Sequence, residues 1–395
     1  MTEPLDALPL SEGRRLAVVD DGAGLAAIPQ VRDDDGRWRR AQPGDGVASA
    51  LLEVLAAGSV TREAFSVRSW TTRTATGERS VGVDQTNESV IVGDVAVVKW
   101  ATHLQEGPHP APRRIEVLRA AGFAGMPTPW GLLTWRTPTG ADTVVAYVDD
   151  YLPDAVDGWT WAVDLVTAAV RDREPGAFAA AAADVGTVVA DLHGALSGTA
   201  TVASGADAAR WRDGAVETLD TAVRLGHPGV VARRAEIEVL LSGLGGLAGS
   251  PVVDGHGDLH VGQVLCSRGR FVVTDFDGNP VLTAPERMLS IPAVVDVAGM
   301  TQSLAHAAIV AAKYAALDPA TLAVVSAAGR TAFLEAYTRR LHELGHADLF
   351  DPTPLRAFRA QQVLREIVYA ARHLPRWMYV PDAALPALLD EGTPT

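Results

Sequence analysis

The chain changes its periodicity once, and that change limits its fold more than any other feature. Up to about residue 150, short runs of Val, Thr and Arg alternate in the two-residue rhythm of strands. From Trp159 onward the apolar residues fall at helical spacing, which predicts helices over 177–195, 208–224, 232–241, 294–317, 319–344 and 354–374. One island, residues 251–280, interrupts them with strand-like runs. A β-rich first part followed by a helical part with a single β island predicts an α+β fold.

A length of 395 residues suits two or three domains. The expected organisation is a small cap over 1–60, a β-rich part over 61–150 and a helical part over 151–395. Within the second, residues 88–100 read as a hairpin turning at Gly93-Asp94, with Val95, Val97 and Lys99 on one face of its second strand. A helix over 113–121 carries Glu116, and residues 149–158 form a polar connection.

Composition removes several function classes. The formal net charge of −14 repels phosphate backbones, so nucleic acid is not an expected partner. A bound nucleotide needs only local positive charge, and the only lysines are Lys99 and Lys313. A single cysteine, Cys266, excludes an intrachain disulfide. The acidic start lacks the regions of a signal peptide, and Asp184, Asp191 and His193 interrupt the alanine-rich stretch 177–196. The expectation is a cytoplasmic protein with no membrane span; the oligomeric state is left open.

The island carries the chemistry. Its apolar runs 264–266 and 271–274 flank the turn Ser267-Arg268-Gly269-Arg270, so antiparallel pairing sets Gln263 beside Asp275, with Asp258 in the loop before them. Two oxygen donors such as Gln263 and Asp275 suit Mg²⁺, which shares its other positions with water and phosphate oxygens. Asp258 is then free to orient a hydroxyl and accept its proton, which completes the parts that phosphoryl transfer needs.

His256-Gly257-Asp258 with Gln263 five residues later resembles the catalytic loop of protein kinases and aminoglycoside phosphotransferases. Asp275-Phe276-Asp277-Gly278 resembles their metal-binding Asp-Phe-Gly segment with one residue inserted, and Gln263 stands where Asn is usual. HGDLHVGQVL, DFDGNP, DQTNESVIVGDVAVVKW and REIVYAARHLPRWMYVP together resemble the actinobacterial glucosamine kinases and maltokinases over most of the chain. The resemblance implies a bilobal protein-kinase-like fold: a β-rich N-lobe with an N-terminal cap, then a mostly helical C-lobe. It also implies ATP as co-substrate. Lys99, paired with Glu116, would hold the phosphates, and Asn87 and Ser89 would cover them because residues 82–89 are not a glycine-rich loop.

The last expected helix has its apolar stripe at Val363, Leu364, Ile367, Val368 and Ala371, with Glu366 and His373 together beside it and Trp377 just beyond. A carboxylate with an aromatic ring suits sugar recognition, and the resemblance makes this segment the acceptor pocket. Glu366, Arg372, His373 and Trp377 are the candidates, along with Asp277 and Asn279. Asp277 is expected either on the strand face of Asp275, reaching the cleft, or equally as a cap of the following turn with Asn279. DFDGNP and LPRWMYVP resemble the glucosamine kinases more than the maltokinases, which implies glucosamine as acceptor, and an anionic Glu366 suits its 2-amino group; the expected product is glucosamine 6-phosphate. Maltose, giving maltose 1-phosphate, is the alternative, then an aminoglycoside. A nucleotide-binding pseudokinase is the non-enzyme reading, opposed by the intact Asp258, Gln263, Asp275 and Lys99.

His256, Asp258 and His260 also permit a zinc hydrolase, but Gly257 argues for a loop and Asp275 would then have no task. His256 and His260 are expected to be structural, as is Asp296, a candidate N-cap that in kinases braces the catalytic loop.

Overall fold

The structure is a computed structural model and describes residues 3–20, 22, 24–81 and 88–391. It divides into two compact units. The first comprises Met1–Glu116, Met126–Asp154 and Asn279–Met288. The second comprises Val117–Gly125, Ala155–Gly278 and Leu289–Thr395.

The first unit opens with an antiparallel sheet of β1 (Asp6–Ser11), β2 (Arg14–Asp20), β3 (Leu25–Arg32) and β4 (Trp38–Arg40) in that order. Helix α1 (Val47–Ala56) follows. A second antiparallel sheet is built from β5 (Val60–Arg62), β6 (Phe65–Ser69), β7 (Glu78–Ser80), β8 (Glu88–Val92) and β9 (Ala96–Trp100). Beyond α2 (Ala111–Ala120), β10 (Pro129–Arg136) and β11 (Asp142–Asp150) complete it, in the order β5-β6-β10-β11-β9-β8-β7 among the described residues. One core runs through both sheets: Leu16 and Val18 of β2, Leu51 and Leu55 of α1, and Val98 and Trp100 of β9 are buried together. The first sixty residues therefore contribute to the same core as the second sheet.

The hairpin of β8 and β9 turns where expected. Gly93 and Asp94 both take positive φ, and Val92 pairs with Ala96, so the connection holds three residues. Ala96, Val98 and Trp100 are buried while Val97 and Lys99 are half-buried, so Lys99 lies on the more open face of its strand.

The second unit is mostly helical. It contains α3 (Gly158–Asp172), α4 (Gly176–Leu196), β12 (Thr201–Val202), α5 (Gly205–Arg224), α6 (Pro228–Ala232), α7 (Arg234–Ser242) and β13 (Pro251–Val252). The island hairpin, β14 (Val264–Ser267) with β15 (Arg270–Val273), comes next. After the short α8 (Ala284–Arg287), which belongs to the first unit, come α9 (Ala293–Tyr314), α10 (Pro319–Glu343), α11 (Leu355–His373) and α12 (Tyr379–Leu389). The helices α3 and α12 were not among those expected; α12 contains Pro381 and Pro386. Its Leu385, Leu388 and Leu389 nevertheless close one core with Val363, Leu364 and Ile367 of α11 and Leu219 of α5.

Among the described residues α9 alone is long and apolar enough to cross a membrane, and 78% of its most apolar window is buried. Two glycines admit the catalytic loop to this helical frame. A Cβ on Gly158, at the start of α3, would lie 1.6 Å from the Val261 carbonyl oxygen, and one on Gly299 of α9 would lie 2.3 Å from that of Leu259. Both obstacles are backbone, so neither moves aside cheaply. Gly158→Ala is expected to lower stability by about 1–3 kcal/mol and to reduce activity by displacing Gln263. A thermal melt and a turnover assay check both.

Candidate active site

The loop 254–260 is held by its own backbone. Asp296, in the first turn of α9, accepts hydrogen bonds from His256 N at 2.7 Å and Gly257 N at 2.8 Å. His193 Nε2 lies 3.2 Å from the same carboxylate, and His193, His256 and Asp296 are all buried. The helix is capped by Pro292, so Asp296 is not the N-cap that its position suggested; it braces the loop. Burial alone would raise its pKa, but the His193 and backbone donors outweigh that and hold it below the usual carboxylate range.

His256 is structural. Its Nε2 donates to Thr274 O at 3.0 Å and its Nδ1 accepts from Asp258 N at 3.3 Å, which fixes a neutral tautomer. His260 likewise accepts from Gly262 N through Nδ1 at 3.0 Å, and burial pushes its pKa down to about 4. With both His256 nitrogens engaged, the zinc reading loses its first ligand.

This bracing presents the half-buried Asp258, whose carboxylate accepts no hydrogen bond among the described residues. Burial, then the nearby Asp275 charge, raise its pKa to about 7, and Arg365 opposes the rise. The Arg365 guanidinium is itself partly desolvated and is stabilised by Asp258. Arg365 was missed in the sequence. Its only signal was adjacency to Glu366, and a helix surface carries many arginines.

The hairpin register is the expected one: Val264 pairs with Val273, and Gln263 Nε2 donates to Asp275 Oδ2 at 3.3 Å. Asp275 has φ +65°, a left-handed conformation rarely adopted by a residue other than glycine and found where a side chain must be aimed. The strand ends at Val273, so Asp277 lies in the turn after Asp275 and not on a shared strand face. The pair fits Mg²⁺: both side chains offer hard oxygens once the Gln263 amide turns its oxygen inward. No three His, Cys, Asp or Glu residues converge among the described residues, so phosphate and water would complete the shell.

Glu366, on α11, is largely enclosed. Gln362 Nε2 donates to its Oε1 at 3.0 Å, and His306 Nδ1 of α9 lies 3.4 Å from Oε2. Burial raises its pKa to about 8, although 21% of the side chain remains open to solvent. His373 is not with it: that ring is exposed and packs on Tyr369 at 5.2 Å, and Arg372 is exposed as well. Trp377 continues an aromatic row, 5.7 Å from Trp159 and 5.9 Å from Tyr379, with Trp159 stacked on His260 at 6.3 Å. Asp258, Gln263, Asp275, Asp277, Glu366 and Trp377 all belong to the second unit.

Lys99, Ser89, Glu116 and Asn279 belong to the first. Ser89 is the cross-strand neighbour of Lys99. The expected Lys99–Glu116 pair does not form: Glu116 meets Arg68 Nη1 at 2.7 Å, because the β6 arginine reaches it first. Asn279 accepts from Val281 N at 3.1 Å, a turn contact. Asn87 lies outside the described residues.

Comparison with known proteins shows the family. No family model matches the chain. It is 61% identical over 398 residues to the glucosamine kinase of Mycolicibacterium smegmatis (strain ATCC 700084 / mc(2)155), covering 99% of each. It is 45% identical to that of Streptacidiphilus jiangxiensis, covering 98% of this chain and 91% of the other. A solved glucosamine kinase in complex with glucosamine, ADP and inorganic phosphate superposes with a TM-score of 0.84 at 42% identity, covering 97% of this chain and 93% of that one. The fold is that of the solved glucosamine kinases, antiparallel sheets followed by a mostly helical part. Within it, the chain belongs to the glucosamine kinase family.

Proposed function

We propose that this chain transfers the γ-phosphate of ATP to the 6-hydroxyl of D-glucosamine. The observation that carries the reading is the braced Asp258: an unengaged carboxylate beside the Gln263–Asp275 pair, in the same unit as the enclosed carboxylate of Glu366. The Streptacidiphilus and Mycolicibacterium relatives bear the name glucosamine kinase, and a relative's complex holds glucosamine and ADP, which supports both substrates.

Asp258 orients the acceptor hydroxyl and takes its proton as the oxygen attacks phosphorus; a base with a pKa near neutrality is well matched to that task. Gln263 and Asp275 would hold Mg²⁺, which supplies charge neutralisation at the phosphate oxygens. Arg365 keeps the Asp258 carboxylate available by opposing its protonation. Lys99 steadies the phosphates without the usual glutamate partner, with its cross-strand neighbour Ser89 assisting. Glu366 receives the 2-ammonium group of the sugar, and Trp377 offers its ring to the sugar face; Asp277 contributes a further polar group to the acceptor. A cytoplasmic location follows from the reading, since ATP is supplied there.

The test is ADP release with ATP and Mg²⁺ against glucosamine, glucose, N-acetylglucosamine, maltose and kanamycin. Glucosamine is expected to exceed each of the others in kcat/KM by about 10-fold or more. Faster turnover of maltose would overturn the acceptor assignment, and silence on all five would favour a pseudokinase.

A further inference from the structure

Behind Glu366, a row of buried side chains fixes which nitrogen of one histidine carries the proton. Arg359 donates through Nη1 and Nη2 to the Glu391 carboxylate at 2.6 and 2.9 Å, and through Nε to Gln302 Oε1 at 3.0 Å. A guanidinium only donates, so the Gln302 oxygen must face Arg359 and its NH₂ must face the other way. There it meets His306 Nε2 at 2.9 Å. That nitrogen must therefore accept, and the imidazole proton sits on Nδ1. Nδ1 is the nitrogen 3.4 Å from Glu366 Oε2, an oxygen that is buried and has no hydrogen-bond partner among the described residues.

His306 is itself buried, and burial followed by the Arg359 charge keeps its pKa at about 3. The groups facing it are Gln302 on its own helix, Arg359 and Glu366 on α11, and His260 of the catalytic loop, which is also neutral. The ring therefore stays uncharged, and only its tautomer matters. An N–H toward Glu366 stabilises the ionised carboxylate; a lone pair there would repel it.

We propose that His306 is a positioning residue for the acceptor: its Nδ1–H, directed by Arg359 through Gln302, faces Glu366 Oε2 and favours the ionised carboxylate once the sugar ammonium is bound. This rests on the role given to Glu366 above. It adds a residue outside the α11 segment to the selection of an amino sugar over a neutral one.

The experiment compares His306→Asn, whose amide N–H replaces Nδ1–H, with His306→Gln and His306→Phe, which remove it from that position. Steady-state constants for glucosamine, glucose and ATP are measured on the full chain, with a thermal melt of each variant. Phe and Gln are expected to raise KM for glucosamine about 10-fold, leaving KM for ATP and for glucose within about 3-fold. Asn is expected to stay within about 3-fold of the parent for all three. Equal losses in Asn and Phe, or a parallel rise in KM for ATP, would mean a packing role and overturn the proposal; unchanged constants in Phe would do the same. Glu366→Gln runs beside them. If it too leaves KM for glucosamine unchanged, the assignment of Glu366 has failed; if it raises KM while the His306 variants do not, only the inference about His306 has.

Discussion

Asp258→Asn is expected to lower kcat by about 10²–10⁴-fold, the usual worth of a positioned general base. KM for ATP and for glucosamine should move little. The substitution keeps the shape of the side chain, and the loop does not depend on its carboxylate. Asp258 contributes its backbone N–H to His256 Nδ1, while Asp296 holds the two preceding amides. Stability should change in the opposite sense to activity. Between about pH 4 and 7 the folded carboxyl retains a proton that the unfolded chain has released, because its pKa is raised from 3.8 to about 7. Folding stability therefore falls as pH rises through that window. Asn does not ionise, so the variant should melt higher than the parent at pH 7.5 without metal, and the gap should close by pH 4. Retention of more than a tenth of the parent kcat would remove Asp258 from the role of base.

The parts of this site that were legible in the sequence are local. A turn signal between two apolar runs sets a register, and the register brings Gln263 to Asp275 within one hairpin. The same reasoning failed one step further, at Asp277. The strand ends at Val273 and Asp275 then takes a positive φ, and nothing in the residue type announces that conformation. Pairings across elements were less accessible. Glu116 was assigned to Lys99 by analogy, yet Arg68 of β6 takes it, and strand spacing does not tell which of several cations a helix carboxylate meets. Arg365 and His306 depend on the rotation of α11 and α9 about their axes. A twist of one residue is about 100°, so an apolar stripe defines the buried face but not the polar side chains at its edges. Glu366 was found because a nearby tryptophan drew notice to its segment, whereas His306, sixty positions upstream, had no such flag.

Glu366→Gln should separate recognition from folding. For glucosamine, kcat/KM is expected to fall by about 10–100-fold, the worth of a charged hydrogen bond in an enclosed site, whereas glucose should change by no more than about 3-fold. The free protein should become more stable. Burial raises the pKa of Glu366 from 4.5 to about 8, so across that interval the folded state holds a proton the unfolded chain lacks, and stability declines as pH rises. The partial opening of the side chain to solvent, at 21%, limits the effect. A gain of about 1–2 kcal/mol near pH 8 is expected, or about 2–8 °C in Tm, shrinking toward pH 5. An amide fits the site because Gln362 can turn to accept from it while the oxygen faces His306. A carboxylate that destabilises its own fold belongs where a cationic ligand compensates for it, and bound glucosamine should return that carboxyl toward its ordinary pKa. Adding glucosamine should therefore raise the parent's Tm at pH 8 and leave the variant's nearly unmoved. If both respond alike, the ammonium is recognised elsewhere in the site.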